Sequence, residues 1–154
     1  MTGSFVKIKV AWIGKTKEPA IQALTDEYLK RISHYAEVAG VSLKDEAALL
    51  ALAGSGTRQS NKERCKLVLL DARGKQFSSE ELAGFLDREQ LNAMPLLFGI
   101  GGSDGFGVET RRQAAVVLSL GPMTLPHELA RVVLLEQIYR AFTILKNHPY
   151  HLGH

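Results

Sequence analysis

Apolar and polar residues alternate over residues 5–13, and this period of two is typical of a strand that buries one face. After Pro19, apolar side chains return every three or four positions, which predicts a helix over 19–36. A short strand over 37–44 and a polar loop over 54–64 follow. The first third of the chain is therefore predicted to contain a strand, a helix and a second strand.

Strands and helices alternate more clearly in the rest of the chain. Ser78 and Glu81 have the spacing of a capping box, in which the two side chains satisfy free N–H groups at a helix start. The patterns predict strands over 66–72, 94–100 and 116–120, and helices over 78–90, 108–116 and 126–145. Because the strands are continuously apolar, they favour a single α/β domain over 1–154, with a mostly parallel sheet covered by helices on both faces.

Composition narrows the class of protein. Of 154 residues, 45% are hydrophobic and 23% are charged, as in an ordinary globular domain. No stretch approaches the roughly 18 apolar residues of a membrane span, and charges stand where a signal peptide needs apolar residues. The single Cys65 cannot form an internal disulfide, which suits a reducing compartment. We expect a cytoplasmic protein without membrane contact, whose net charge of +3 permits an anionic partner such as nucleic acid.

The most unusual segment is LFGIGGSDGFG, residues 97–107, which carries five of the 14 glycines. It joins a predicted strand to a predicted helix, which is where open α/β sheets bind ligands. It is not a dinucleotide fingerprint, because the third glycine position after Gly99 and Gly101 holds Asp104. It is not a phosphate-binding P-loop either, because no Lys follows Gly107. A tight turn without any ligand remains an alternative at this point.

A second loop, residues 121–126, also follows an apolar strand and precedes a helix. Pro122 and Pro126 fix the backbone on either side of three residues, so its N–H and C=O groups can meet a ligand at little entropic cost. A neutral, adenine-like group would suit such a loop. Neither loop has the clustered basic residues that a pyrophosphate requires, which argues for a cofactor other than NAD or ATP.

Four blocks of the sequence together resemble the bacterial large-subunit ribosomal RNA methyltransferase H family: LLDARGKQFSSEELA, IGGSDG, SLGPMTLPHELARVVLLEQIYRAF and NHPYH. They cover essentially residues 66–151, and their order and spacing make the resemblance specific. Residues 44–64 depart from the family, in which a longer charged helix usually precedes the next strand.

The resemblance implies a SPOUT methyltransferase whose C-terminal part forms a trefoil knot that binds S-adenosylmethionine. It also implies a homodimer that methylates ring N3 of a pseudouridine in large-subunit (23S) RNA of the assembled ribosome. The cofactor-binding residues that it implies are Leu70, Asp71, Gly102, Gly121, Pro122, Met123, Thr124, Leu125 and Pro126.

Methylation at a ring nitrogen requires loss of the ring proton and alignment with an electrophilic methyl group. Positioning and charge stabilisation should therefore supply most of the reduction in the activation barrier. The candidate catalytic residues are His127, Arg140, Tyr150 and His151. Glu136 and Arg140 have i,i+4 spacing and can pair, either as a solvated salt bridge or in catalysis. Tyr150 offers a face for stacking on an unpaired base, and His151 titrates near neutrality.

Two further expectations concern assembly and the tail. The last predicted helix has more apolar surface than one face needs, which predicts a homodimer. The tail NHPYHLGH has no apolar period, so we expect a partner or substrate to order it, and its histidines lack the context of a metal site. Two alternatives to a methyltransferase stay open: a nucleotide-binding α/β protein, and a ribosome-associated RNA-binding module without methyl transfer.

Overall fold

The computed structural model describes residues 6–54, 65–92, 94–102 and 104–152. Its elements in chain order are β1 (Lys7–Ile13), α1 (Pro19–Ile32), β2 (Glu37–Leu43), α2 (Glu46–Leu52), β3 (Lys66–Gln76), α3 (Ser79–Gln90), β4 (Leu96–Ile100), α4 (Val108–Gln113), β5 (Val116–Ser119) and α5 (His127–Leu145). Apart from Gly54, the predicted polar loop over 54–64 lies outside the described residues.

The five strands form one sheet in the order β2-β1-β4-β3-β5, and every described ladder is parallel. Alternate residues of a strand point to opposite faces. In β3, Val68 therefore joins the core beneath α1, α3 and α5, while Leu67 and Leu69 pack with α2 and Phe106 on the other face. The predicted parallel sheet with helices on both faces is confirmed.

Glutamates from other helices cap two helix starts that lack a side-chain cap of their own. Glu128, in the first turn of α5, accepts hydrogen bonds from the backbone N–H groups of Lys17 (3.0 Å) and Glu18 (3.3 Å) at the start of α1. Glu46 of α2 accepts one from the Gly107 N–H (3.1 Å) at the start of α4. These bonds satisfy N–H groups that have no partner within the helix, and they fix α1 and α4 next to loops at the carboxyl edge of the sheet.

Two predicted helices end earlier than their apolar spacing indicated. The helix predicted over 19–36 ends at Ile32, because the N–H groups of His34 and Tyr35 donate three residues back and form a turn. That turn places Tyr35 against Phe142 with ring centroids 5.8 Å apart, so its apolar character reflects tertiary packing. The helix predicted over 108–116 ends at Gln113, because the Ala115 N–H already donates to the Leu67 carbonyl of β3.

Two further features were not predicted. The short helix α2 begins at Asp45, whose side chain accepts from the Ala48 N–H (2.9 Å), and it buries Leu49 completely. Strand β3 continues to Gln76, beyond the predicted end at residue 72. Among the described helices, none is long and apolar enough to cross a membrane.

Candidate functional site

A cleft lies where the carboxyl ends of β3, β4 and β5 meet. Because these strands are parallel neighbours, the segments that follow them share one edge of the sheet. The described lining residues come from 70–73, 100–102, 104–105 and 120–125, and together with the start of α5 they enclose a volume of about 310 Å³. This volume lies at the lower end of the range for small-molecule pockets, roughly 300–1,000 Å³.

The structure brings most of the cofactor-binding residues implied by the resemblance into this cleft. Those that line it are Leu70, Asp71, Gly102, Gly121, Met123, Thr124 and Leu125. Pro122 and Pro126 are not part of the lining, although they flank the residues that are. His127, a candidate catalytic residue, also faces the cleft from the first position of α5.

The Ser119 hydroxyl group forms two hydrogen bonds that hold the start of the loop after β5 in a tight turn. The Ser119 hydroxyl donates to the Gly121 carbonyl (3.0 Å) and accepts from the Gly121 N–H (3.1 Å). Gly121 has φ +138, a conformation that side-chain-bearing residues rarely adopt. Within the described residues, no hydrogen bond uses the backbone N–H groups of Met123, Thr124 or Leu125. These N–H groups are thus available to a ligand in the cleft.

Charges in the cleft are nearly balanced. Asp71 is buried and forms a bidentate ion pair with Arg73, with Nε–Oδ1 and Nη2–Oδ2 distances of 2.9 Å each. The Arg73 guanidinium lowers the pKa of Asp71 below its usual value, outweighing the opposite effect of burial. With Asp104 and His127 as the other ionisable lining groups, the cleft has no concentration of positive charge for a polyphosphate.

Arg73 also lines the cleft, although the sequence patterns did not indicate it as a site residue. The available signal is its position two residues after Asp71, which places both side chains on the same side of an extended strand. Its other partner, the Phe106 carbonyl, lies far away along the chain, so sequence spacing could not reveal it.

The other three candidate catalytic residues form a second group around Glu136. Glu136 Oε2 accepts hydrogen bonds from Arg140 Nη2 (2.7 Å), Arg140 Nε (3.1 Å) and the Tyr150 hydroxyl (2.8 Å). Arg140 Nη1 also contacts His151 Nδ1 (3.0 Å), and His151 Nε2 contacts Glu80 (3.0 Å). We call these residues the α5 cluster. The predicted i,i+4 pairing of Glu136 with Arg140 is confirmed.

These contacts define the protonation states that the α5 cluster favours. A guanidinium can only donate, so His151 Nδ1 accepts from Arg140 and Nε2 carries the proton donated to Glu80. Burial, followed by the bond to Glu136, raises the pKa of Tyr150 far above its usual value. The bond from Arg140 to Glu136 raises the pKa of Arg140. Tyr150 is therefore a neutral hydroxyl and Arg140 a cation at physiological pH.

The structure corrects the expectation that the tail depends on a partner or substrate for its order. Tyr150 packs edge-on against Tyr139 with centroids 4.8 Å apart, and its hydroxyl bonds to Glu136. Contacts within one chain therefore hold Tyr150 and His151 against α5. Gly153 and His154 lie outside the described residues.

The cleft and the α5 cluster are far apart in one chain. His127 stands at the start of α5 and Arg140 near its end, so a rise of 1.5 Å per residue separates them by about 20 Å. The structure thus brings three candidate catalytic residues together and leaves His127 with the cleft. Within the described part of the chain, no group of three His, Cys, Asp or Glu side chains is arranged to hold a metal ion.

Comparison with known proteins assigns this fold and site to a class. A family model described as a predicted SPOUT methyltransferase matches residues 6–151. The AviRb methyltransferase of Streptomyces viridochromogenes, solved with AdoMet, superposes with a TM-score of 0.54 at 14% identity, covering 88% of this chain and 58% of that one. A probable methylase family protein of Haemophilus influenzae Rd KW20 gives 0.58 at 15% identity, covering 94% and 70%. The two structures support the fold, and the family model shows the class, that of the SPOUT methyltransferases.

Full-length relatives narrow the class further. The ribosomal RNA large subunit methyltransferase H of Koribacter versatilis is 56% identical, covering 97% of this chain and all of the relative. The protein of the same name from Geobacter sulfurreducens is 43% identical, covering 95% of this chain and 99% of the relative. The chain therefore belongs to the ribosomal RNA large subunit methyltransferase H family.

Proposed function

We propose that this protein transfers a methyl group from S-adenosylmethionine to ring N3 of a pseudouridine in large-subunit ribosomal RNA, acting on the assembled ribosome in the cytoplasm. The observation that carries this proposal is the convergence of three segments, distant in sequence, on one cleft at the carboxyl edge of the sheet. The full-length relatives are named for methylation of large-subunit ribosomal RNA. The finer choices, pseudouridine N3 and the assembled ribosome, rest on the resemblance of the sequence blocks.

The residues of the cleft fit S-adenosylmethionine. Among the described residues, the backbone N–H groups of residues 123–125 have no hydrogen-bond partner, so they can bind the polar edge of an adenine ring. A Cβ placed on Gly102 would meet no protein atom within 4 Å, so this side of the cleft is open for a ligand to approach the backbone. Asp71 and Arg73 neutralise each other in an ion pair. They therefore add no net charge next to the zwitterionic amino-acid part and the sulfonium of S-adenosylmethionine.

When bound, the cofactor supplies an electrophilic methyl group on its sulfonium. The protein has to position the target ring and stabilise the negative charge that forms as N3 loses its proton. Arg140 is suited to stabilise that charge, since Glu136 fixes its orientation and its side chain is only 16% exposed. Tyr150 donates a hydrogen bond and cannot serve as a phenolate base, because its pKa is strongly raised. His127 is the candidate catalytic residue that lines the cleft itself.

A homodimer would join the two parts of the site. The cleft and the α5 cluster lie about 20 Å apart along one rigid helix, too far to contact the same base within a single chain. In a two-fold dimer packed through α5, the cleft of one subunit can face the α5 cluster of the other. Most apolar residues of α5 are buried within one chain, and the partly exposed Leu129 and Val133 are apolar side chains of this helix that a second subunit can cover.

Mass spectrometry of large-subunit RNA, from cells with and without the gene, tests this function. The expected result is one methylated pseudouridine that is missing in the deletion strain and restored by the purified protein with S-adenosylmethionine. Calorimetry should show binding of S-adenosylhomocysteine and none of NAD or ATP. Binding to ribosomes without methyl transfer would instead indicate an RNA-binding module, and NAD or ATP binding would indicate a nucleotide-binding protein.

A further inference from the structure

Strand β3 contains a bulge directly beside the cleft. Leu70 and Lys75 both register with Leu118 of β5, so the four residues between them leave the ladder. Gly74 allows the backbone to approach β5 again, where pairing resumes at Lys75. A residue with a Cβ would not fit there, because that Cβ would lie 2.5 Å from the Val117 carbonyl oxygen. The bulge places Arg73 in the lining of the cleft, with about half of its side chain exposed.

The Arg73 side chain connects two walls of the cleft. Its Nε and Nη2 atoms bind the buried carboxylate of Asp71, and its Nη2 also donates to the Phe106 carbonyl (3.0 Å). Phe106 lies near the end of the glycine loop, which we define by the described residues 101–102 and 104–107, and its side chain is buried in the core on the α2 face. Arg73 thus ties the bulge of β3 to the end of the glycine loop.

Apart from the buried Phe106 side chain, few contacts among the described residues hold the glycine loop in position. Glycines contribute no side-chain packing, and Gly105 bonds back to Gly102 within the loop itself (3.1 Å). At its far end, the Gly107 N–H donates to Glu46 of α2 and not to β3. Among the described residues, Arg73 binds the Phe106 carbonyl, and the Phe106 backbone N–H donates to the Asp71 carboxylate that Arg73 orients, so both hydrogen bonds from this loop to the bulge of β3 involve the Asp71–Arg73 pair. Arg73 therefore contributes to the distance between these two walls of the cleft, directly and by orienting Asp71.

We propose that Arg73 is a positioning residue of the cofactor site, which sets the spacing between the β3 bulge and the glycine loop and thereby the affinity for the cofactor. This inference rests on the proposed function, because it assigns Arg73 to the same cleft. It predicts a specific effect on cofactor binding and on loop mobility, which a residue needed only for folding would not produce.

The test compares Arg73→Met and Arg73→Lys with the wild type, and uses Arg88→Met as the control. Arg88 is an exposed arginine on α3 that does not line the cleft. Affinity for S-adenosylhomocysteine is measured by calorimetry well below the unfolding temperature, and hydrogen exchange is followed over residues 101–107. We expect Arg73→Met to weaken binding at least tenfold and to speed exchange in the glycine loop, with Arg88→Met matching the wild type.

Arg73→Lys keeps the charge beside Asp71 but cannot make the paired bonds and the Phe106 bond together. It should therefore also weaken binding, by less than Arg73→Met, and it serves as the test if the Met variant fails to fold. Affinity within twofold of the wild type in either folded variant would overturn the role of Arg73 and leave the proposed function intact. A wild-type protein that does not bind S-adenosylhomocysteine would overturn the proposed function, and this inference with it.

Discussion

Replacing Glu136 by Gln tests whether one carboxylate holds the α5 cluster together. Oε2 of Glu136 accepts two hydrogen bonds from Arg140 and one from Tyr150, over distances of 2.7–3.1 Å. Gln has nearly the same shape, but its amide is neutral and part of it donates. The substitution therefore leaves the Arg140 guanidinium without a counter-ion and the Tyr150 hydroxyl with a weaker acceptor, in a region where both ion-pair side chains are less than one-fifth exposed.

The expected loss follows from burial. Hydrogen bonds to charged groups contribute about 1.5–3 kcal/mol, whereas exposed ion pairs contribute about 0–1 kcal/mol. We expect Glu136→Gln to lower the free energy of unfolding by about 2 kcal/mol, or the Tm by roughly 4–8 °C for a chain of this size. The matched control is Glu27→Gln, which breaks a pair with Arg31 that has the same i,i+4 spacing and the same 2.7 Å distance. Because that pair is over 40% exposed on both sides, its loss should cost under about 0.5 kcal/mol.

Urea unfolding of the two variants, at one fixed protein concentration, measures these differences. Affinity for S-adenosylhomocysteine should stay within twofold of the wild type in Glu136→Gln, since Glu136 does not line the cleft. Methyl transfer to ribosomes should fall by about tenfold or more, because Arg140 and Tyr150 lose their orientation. Equal destabilisation in both variants would refute the argument from burial, and full methyl transfer by Glu136→Gln would refute a role of the cluster in the reaction.

Three further predictions concern the cleft and the assembly. Gly102→Val should fold normally, because no atom lies within 4 Å of the added Cβ, yet weaken S-adenosylhomocysteine binding at least tenfold by calorimetry; unchanged affinity would remove Gly102 from the site. Light scattering at micromolar concentration should give twice the chain mass of 16.9 kDa, and a monomer mass would contradict the dimer. Arg73 lowers the pKa of Asp71 from its usual 3.8, so the stabilisation from this pair is present above that pH and is lost as the pH falls through the lower, folded-state pKa. Thermal melts from about pH 4 to pH 2 should therefore show a smaller loss of stability in Asp71→Asn than in the wild type, and equal losses would contradict the assignment.

The fold could be predicted because its signals are local. Continuous apolar strands separated by helical patterns already indicate a parallel sheet with two covered faces. The short helix α2 was missed since its seven residues are too few to show a period, and its stability depends on burying Leu49 in the core. The end of α1 was placed too late because Tyr35 is apolar for a tertiary reason, its stacking on Phe142.

The two parts of the candidate site also differ in how far local sequence signals reveal them. The cleft is shaped by backbone constraints, such as the positive φ of Gly121, and the glycines and prolines that impose them are visible in the sequence. The α5 cluster is made by side chains from three separate segments, and its link from His151 to Glu80 joins positions far apart in the chain. No local pattern encodes such a link. The chemistry of the reaction could name Arg140, Tyr150 and His151 as candidates, but only the structure shows what orients them.

The position of both groups on α5 makes the dimer a requirement of the proposed mechanism. Leu134, Leu135 and Ile138 lie between the cleft end and the cluster end of this helix, and all three are fully buried. Bending α5 to bring Arg140 to the cleft would expose these side chains, at about 1.5–3 kcal/mol for each. Such a cost makes the separation of about 20 Å a fixed property of one chain. A base placed for methylation at the cleft can therefore contact an α5 cluster only if that cluster belongs to a second copy.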